Sequence, residues 1–280
     1  MPDYDLAVIG SGASGLPVTA AAAQLGLSVA LIERGRMGGD CLNYGCVPSK
    51  ALLAAAHAAQ AARGAGRYGV KVAVTGIDWE RVRAHVQGAI AAIAPNDSEE
   101  RYRALGASVF RDHARFVSPD ALEVGGRRIT ARRFVVAAGS RAAIPTIPGL
   151  DRVPYLTNAN LFELRERPAH LLILGGGPIG LEMAQAYAGL GCQVTVIEAG
   201  SIAAKEDPEL VNGLKRVLGE QGVVVLEHTS VEAIRPGPVL VLKDGTTVSG
   251  SHLLVAAGRQ PNLEDLGLEA ARVRAGWAVM

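Results

Sequence analysis

Aromatic residues are scarce at 4% of the 280 residues, and cysteine is scarcer still, with three in the whole chain. Three thiols are too few to staple a small secreted fold. Charge of one sign is also lacking: 28 Lys and Arg face 27 Asp and Glu, a net charge of +1, and no basic block occurs. Nucleic acid and anionic membrane surfaces are therefore excluded as expected partners. A long continuous hydrophobic run is missing too. No charged side chain occurs from Leu6 to Ile32, but Gly10, Gly12, Gly15, Pro17 and Gly26 interrupt the stretch, and Asp3 and Asp5 stand where a secretory leader needs Lys or Arg. A membrane span would need about 20 consecutive apolar residues. The expectation is a cytoplasmic protein with no membrane span. What the chain has in abundance is glycine, 34 residues, together with alanine. An interior of Ala, Val, Leu and Gly suits helices packed closely on a parallel sheet. The length predicts two domains at roughly 150 residues each.

Apolar runs and glycine loops order the chain. Asp5 to Ile9 reads as a strand, Leu16 to Leu25 as a helix and Ser28 to Ile32 as a second buried strand. An alanine-rich helix is predicted to run to about Arg63, and another from Trp79 to Ile93, stopped by Pro95. Short alternating runs between Ser108 and Thr130, broken by Ser118-Pro119-Asp120 and Gly125-Gly126, predict an antiparallel meander; Arg133 to Ala138 is a further strand. A connection with three prolines, Ile144 to Pro154, precedes a restart of the pattern. His170 to Leu174 reads as a strand, Leu181 to Leu190 as a helix and Gln193 to Ile197 as a strand; Glu206 to Gln221 is another helix, with short strands to Val255. The fold class expected is α/β, with two Rossmann-like, three-layer dinucleotide-binding domains and a small meander.

Gly10-Ser11-Gly12-Ala13-Ser14-Gly15 and Gly175-Gly176-Gly177-Pro178-Ile179-Gly180 each follow an apolar strand and open a helix. Such a loop supplies a tight turn, a place where pyrophosphate can approach the backbone, and a close helix–strand contact. The phosphates then face unpaired N–H groups at a helix N-terminus. An acid follows the first glycine at the same interval of 23 residues in both, Glu33 after Gly10 and Glu198 after Gly175. That is where a carboxylate meets ribose hydroxyls. Two such sites imply two dinucleotides and a path for electrons between them. Glu198 would repel a 2′-phosphate, and Ala199, Gly200 and Ser201 offer no Arg to receive one, so NAD is expected over NADP; Lys205 is the next basic residue.

Gly38 to Lys50 carries two cysteines five positions apart, Cys41 and Cys46. On a regular helix they would sit about 7.5 Å apart along the axis and on different faces. A disulfide needs Cα atoms within about 7 Å, so a bridge requires a distorted turn, which Gly45 permits. Pro48 suits the first turn of the following helix, placing Cys46 at its positive end with Lys50 on the same face. A thiolate is stabilised in such a setting, which describes a redox-active dithiol. Spacing alone also admits two unrelated buried thiols. No second Cys or His pair has ligand spacing, so no metal site is expected. Cys192, between a helix and a strand, reads as core.

The cysteine segment resembles the active-site disulfide of the FAD-dependent pyridine nucleotide–disulfide oxidoreductases, the class I group that contains dihydrolipoamide dehydrogenase, mercuric reductase and glutathione reductase. Val135-Val136-Ala137-Ala138-Gly139-Ser140-Arg141 resembles the strand that closes the FAD fold, and Ala256-Ala257-Gly258-Arg259-Gln260-Pro261-Asn262 its counterpart after the NAD domain. The motifs come in family order along the whole chain. The resemblance implies a 1–150 FAD domain carrying the disulfide, a 151–258 NAD(P) domain, and a 259–280 return toward the FAD and central domains. It also implies a relay in which NAD(P)H, the flavin and the Cys41–Cys46 disulfide exchange reducing equivalents. Cys46 would face the flavin and Cys41 would exchange with substrate. Lys50 would sit by the flavin and pair with Glu182. For FAD the implied set is Gly10, Gly12, Ser14, Gly15, Glu33, Arg34, Gly39, Asp40, Lys50, Ala114, Ala138, Gly139 and Ser140. For the nicotinamide dinucleotide it is Gly175, Gly177, Ile179, Gly180, Glu198, Val231 and Gly258. The aromatic gate of the family would fall at Pro178 and is absent.

Members of this family are considerably longer. The resemblance places further FAD contacts, a dimerisation domain and a His–Glu general base after Met280, and reads Val273 to Met280 as the start of the next strand. A homodimer is expected of the full-length relative. Three readings follow: a dihydrolipoamide dehydrogenase-type disulfide oxidoreductase acting on a small disulfide or dithiol; a mercuric reductase acting on a metal ion; or a truncated nucleotide-binding chain without turnover. The NADH expectation favours the first over the second.

Overall fold

The uncharged runs of the sequence become strands buried on both faces. In the computed structural model, which describes residues 1–274, β1 (Tyr4–Ile9) leads into α1 (Gly15–Gln24) and then β2 (Val29–Ile32), and Ala7, Val8, Ala30 and Leu31 are fully buried. A short helix, α2 (Gly39–Asn43), follows. The chain continues along α3 (Cys46–Gly64) and α4 (Trp79–Ile93), then α5 (Glu99–Ala104) capped by the Ser98 side chain on the Arg101 N–H. Strand β3 (Ser108–Phe110) and the meander β4 (Ala114–Ser118), β5 (Ala121–Val124) and β6 (Arg127–Val136) come next. The six strands form one sheet in the order β3-β2-β1-β6-β5-β4. Its half β3-β2-β1-β6 is parallel, with Ile9 level with both Ile32 and Val136, and its other half is antiparallel.

Two compact units share the chain, and neither is a single linear span: of the described residues, one holds 1–46, 90–141 and those from 261 to 274, the other 47–89 and 142–260. Strand β7 (Ser140–Ala142) pairs with the later strand Arg259–Pro261 in a short two-stranded ribbon. The second unit continues with β8 (His170–Leu174), α6 (Pro178–Gly189), β9 (Gln193–Ile197), α7 (Pro208–Glu220), β10 (Val223–Leu226), β11 (Val231–Arg235), β12 (Val239–Leu242), β13 (Thr247–Ser249) and β14 (His252–Val255). Strands β10-β9-β8-β14 make a parallel sheet and β11-β12-β13 an antiparallel one. Leu172, Leu174 and Val255 of the first share a core with Ile234, Leu240 and Leu242 of the second.

Within the second unit, 47–89 packs against the later part of the chain. Gly189 brings α6 onto α3: a Cβ there would come within 2.9 Å of the Ala56 Cβ, and Arg63 donates to the Gly189 carbonyl at 2.6 Å. On α4 the Trp79 ring lies 5.8 Å from that of Tyr187, and its Nε1–H donates to the Leu164 carbonyl. Chain order carries no signal for such a return. The expected strand Val273 to Met280 lies largely outside the described residues.

Each glycine loop is a close-packed joint. A Cβ at Gly10 or Gly175, both at positive φ, would run into the carbonyl of Ala137 or Ala256 respectively. A Cβ at Gly15 would overlap the Gly10 carbonyl and crowd Val8, and one at Gly180 would overlap the Gly175 carbonyl and crowd Ile173. Overpacking of this kind costs about 1–3 kcal/mol. Gly213, on α7, has open space around it. Gly15→Ala is therefore expected to lower the unfolding free energy, and with it the urea midpoint, by that order of energy, while Gly213→Ala leaves the unfolding free energy unchanged or raises it by about 0.5–1 kcal/mol. Equal midpoints for Gly15→Ala and the parent chain would contradict this packing.

Candidate functional site

In the first unit the strand ends, α2 and the meander surround a cleft of about 270 Å³. It gathers ten residues of the FAD set: Gly10, Gly12, Glu33, Arg34, Gly39, Asp40, Ala114, Ala138, Gly139 and Ser140. Ser14 and Gly15 do not line it; Ser14 is the N-cap of α1, without a side-chain cap bond, and Gly15 is the helix–strand contact. Gly12 and Gly39 approach backbone to backbone: a Cβ at Gly12 would lie 3.8 Å from the Gly39 Cα. The open floor over Gly12, the N-terminus of α1 and the acid at the end of β2 fit the adenosine and phosphate half of FAD.

Glu33 is also a clamp. Its Oε2 accepts from the N–H and hydroxyl of Ser11 at 2.7 and 2.8 Å, and its Oε1 accepts from the Gly35 N–H at 2.6 Å. The second unit repeats the device. Glu198 Oε2 accepts from the Gly176 N–H at 2.7 Å and Oε1 from the Gly200 N–H at 2.8 Å. A carboxylate has about four acceptor positions, so each acid keeps capacity for ribose hydroxyls. Around the second loop, Gly177 has no atom within 4 Å of an added Cβ, which leaves the space a pyrophosphate needs. Ile179 and Gly180 lie in the first turn of α6, Gly258 sits at φ +132, and Val231 is half-buried at the start of β11, two residues after the Thr229 N–H that donates to the Glu198 carbonyl.

The thiols meet because the segment is two helices rather than one. Helix α2 ends at Asn43, and α3 starts at Cys46 with Pro48 in its first turn. Gly45 is needed for close approach: its Cβ would sit 3.1 Å from the Asp40 carbonyl and 3.4 Å from the Cys41 Cα. Both cysteines are thiols in this structure, Cys46 exposed and Cys41 half-buried, with a hydrogen bond between their side chains. Burial pushes the Cys41 thiol up to about 11, the bond to and charge of Cys46 add to this, and the Asp97 carboxylate contributes a smaller effect of the same sign. Cys41 therefore keeps its proton at neutral pH. Within the second unit Lys50 Nζ meets Glu182 Oε1 at 2.6 Å, with the Lys50 side chain 66% exposed. The α3–α6 packing at Gly189 and Ala56 holds the two helices in position for this pair.

Sequence reasoning missed the bracing of the Ala138-Gly139 turn. Asn262 Nδ2–H donates to the Ala138 carbonyl at 2.9 Å, its backbone N–H donates to the Gly139 carbonyl at 3.0 Å, and its Oδ1 accepts from Arg141. Arg141 also pairs with Glu264 and holds that carboxyl far below its usual range, down to about 2. Both Asn262 and Glu264 line the cleft. Asn262 closes the second strand motif in the sequence, but nothing there says that its partner is the first motif. Cys192 is buried, and desolvation pushes its thiol up to about 11. Among the described residues no cluster of three or more His, Cys, Asp or Glu is placed to hold a metal ion, and no helix is long and apolar enough to cross a membrane.

The family model for pyridine nucleotide-disulphide oxidoreductases matches residues 4–278. The mercuric reductase of Streptomyces lividans is 38% identical over 98% of this chain and 60% of its own length. Mycothione reductase of Mycobacterium tuberculosis is 33% identical over 98% of this chain and 61% of its own. Among solved structures, the HOCl-induced flavoprotein disulfide reductase RclA from Escherichia coli, as its Cu(II) complex, superposes with a TM-score of 0.84 at 28% identity, covering 97% of this chain and 60% of that one. The chain thus spans about 60% of the length of these relatives. A match that runs through both loops and the cysteine segment, over nearly every residue, makes the protein a member of the pyridine nucleotide-disulphide oxidoreductase family.

Proposed function

We propose that the protein is an FAD-dependent disulfide oxidoreductase that uses NADH, with Cys41 and Cys46 as its redox pair. The hydrogen-bonded contact of these two thiols, at the junction of α2 and α3, carries the reading. FAD, when bound, supplies two-electron exchange between the nicotinamide and the disulfide. The cleft of the first unit holds its adenosine half, with Glu33 on the ribose and the Gly10–Gly12 backbone at the phosphates. Glu198 and the Gly175 loop hold NADH. Lys50, kept by Glu182, supplies positive charge near the start of α3.

The dithiol half of the cycle needs only the chain's own atoms and a substrate. Cys41, once deprotonated, attacks one sulfur of a substrate disulfide and expels the other as a thiolate. Cys46 then attacks the Cys41 sulfur, closing the Cys41–Cys46 bridge and releasing the second substrate thiol. Two electrons pass to the substrate, and its two thiolates take up two protons. A Cys41 thiol raised to about 11 requires a base for the first step. The finer reading is a dihydrolipoamide dehydrogenase-type substrate, supported by the NADH preference expected of Glu198. The alternative is reduction of mercuric ion, supported by the similarity to mercuric reductases. We further propose a homodimer and a cytoplasmic location.

Two outcomes are expected. Non-reducing peptide mapping of aerobic, FAD-saturated protein shows Cys41 and Cys46 bridged, and anaerobic NADH frees both for alkylation. Lipoamide restores the bridge if the finer reading holds, whereas recovery with Hg(II) and not lipoamide favours the alternative. Two freely alkylatable thiols in the aerobic protein would end the proposal.

The second outcome concerns the nucleotide. Glu198→Ala combined with Ala199→Arg removes a ribose acceptor and adds a phosphate partner. Since Glu198 also clamps its loop, both affinities are expected to drop; their ratio is the readout, and it should move toward NADPH by about tenfold or more. An unchanged ratio means that Glu198 does not face the ribose.

A further inference from the structure

The loop after Glu198 has a neighbour that closing the loop does not require. Residues 199–202 run alongside the segment Glu227–Thr229: the His228 N–H donates to the Gly200 carbonyl at 2.9 Å, the Thr229 N–H to the Glu198 carbonyl at 2.9 Å, and the Ile202 N–H to Glu227 Oε1 at 2.8 Å. Four non-glycine residues take positive φ among the described residues, and two of them border this loop: His228 at +50 and Ala203 at +45, whose N–H donates to the Gly176 carbonyl. Residues other than glycine adopt that conformation rarely. Here it brings the exposed His228 ring to Ser201, with Nε2 3.5 Å from Oγ. Glu227, on the same segment, interacts electrostatically with His228, and Lys215 of α7 bonds Glu227 through its Nζ at 2.7 Å; Glu198 holds the facing loop, its Oε1 accepting from the Gly200 N–H.

In a dinucleotide loop of this kind the acid at the strand end meets the 2′-hydroxyl of the adenosine ribose, so a 2′ substituent lies over the residues just after it. We propose that His228, with Ser201, is the 2′-selectivity element of the second unit, a reading that rests on that unit holding the nicotinamide dinucleotide. With a neutral imidazole, Glu198 acts alone, accepting a 2′-hydroxyl and repelling a 2′-phosphate. With an imidazolium, a cationic N–H donor stands beside Ser201 and admits the phosphate through a charge-assisted bond. Lys215 does not take this role, because Glu227 holds its ammonium.

The test is equilibrium binding of NAD⁺ and NADP⁺ to FAD-saturated protein, by calorimetry, at about pH 6 and about pH 8.5. The 2′-phosphate titrates near ~6 as well, so comparison with variants carries the result rather than the slope alone. His228→Asn removes the charge and tolerates the left-handed backbone; His228→Lys makes the charge permanent. On going to the lower pH, the NADP⁺/NAD⁺ affinity ratio of the parent protein should rise about three- to tenfold more than that of His228→Asn. His228→Lys should keep the high ratio at both pH values. A His228→Asn protein that binds both nucleotides with the parent's pH dependence overturns this proposal and leaves the proposed function standing. Failure of every protein to bind either nucleotide overturns the reading of the second unit and this proposal with it.

Discussion

Each glycine loop is tied to its unit by a carboxylate from the neighbouring strand, and the candidate sites are organised around that tie. Glu33 bonds the N–H of the residue after the first glycine and the N–H two residues beyond itself, Ser11 and Gly35; Glu198 does the same with Gly176 and Gly200. The acid therefore joins two adjacent β-strand ends, aims the backbone N–H groups of the loop, and still presents lone pairs outward. Buried or half-buried hydrogen bonds to a charged group contribute about 1.5–3 kcal/mol each, more than a neutral pair. Each acid thus fixes the shape of its loop, which is why the effect of substituting either on nucleotide binding is read best through ratios of affinities.

The same repetition extends into the packing. Gly10 lies against Ala137 and Gly175 against Ala256; Gly15 faces Val8 and Gly180 faces Ile173. The two loops are equivalent in these contacts, and what differs is what surrounds them. The first opens on a cleft walled by α2, the meander and the Asn262 brace. The second opens on residues 199–202 and His228. One glycine joint thus occurs twice in two different surroundings, and the thiol pair sits where α2 gives way to α3.

Much of this was legible in the sequence. Both loops, both acids, the Trp79–Ile93 helix and the meander follow from periodicity and punctuation, because those signals are local. The Lys50–Glu182 pair came from the family resemblance and is present as an ion pair. The two discontinuous units were not legible, since the return of α3 and α4 depends on small residues such as Ala56 meeting Gly189 across 133 positions of chain. Gly45 was read as a source of backbone freedom; its role is space, against Asp40 and Cys41. Helix α2 is only five residues long, too short for a hydrophobic period to announce it. His228 carries no motif at all and acquires its neighbours only through the turn between β10 and β11.

The central claim is that two equivalent loops bind two different dinucleotides independently. Gly12 and Gly177 isolate it, because an added methyl meets only the Gly39 Cα at 3.8 Å in the first case and nothing within 4 Å in the second, so the fold accommodates both changes while a phosphate over the loop does not. Equilibrium binding of FAD and of NAD⁺ to Gly12→Ala and Gly177→Ala measures the claim directly. The account predicts that Gly12→Ala loses FAD and keeps NAD⁺, and that Gly177→Ala loses NAD⁺ and keeps FAD. Retention of FAD by Gly12→Ala, or loss of the same nucleotide in both variants, would contradict it.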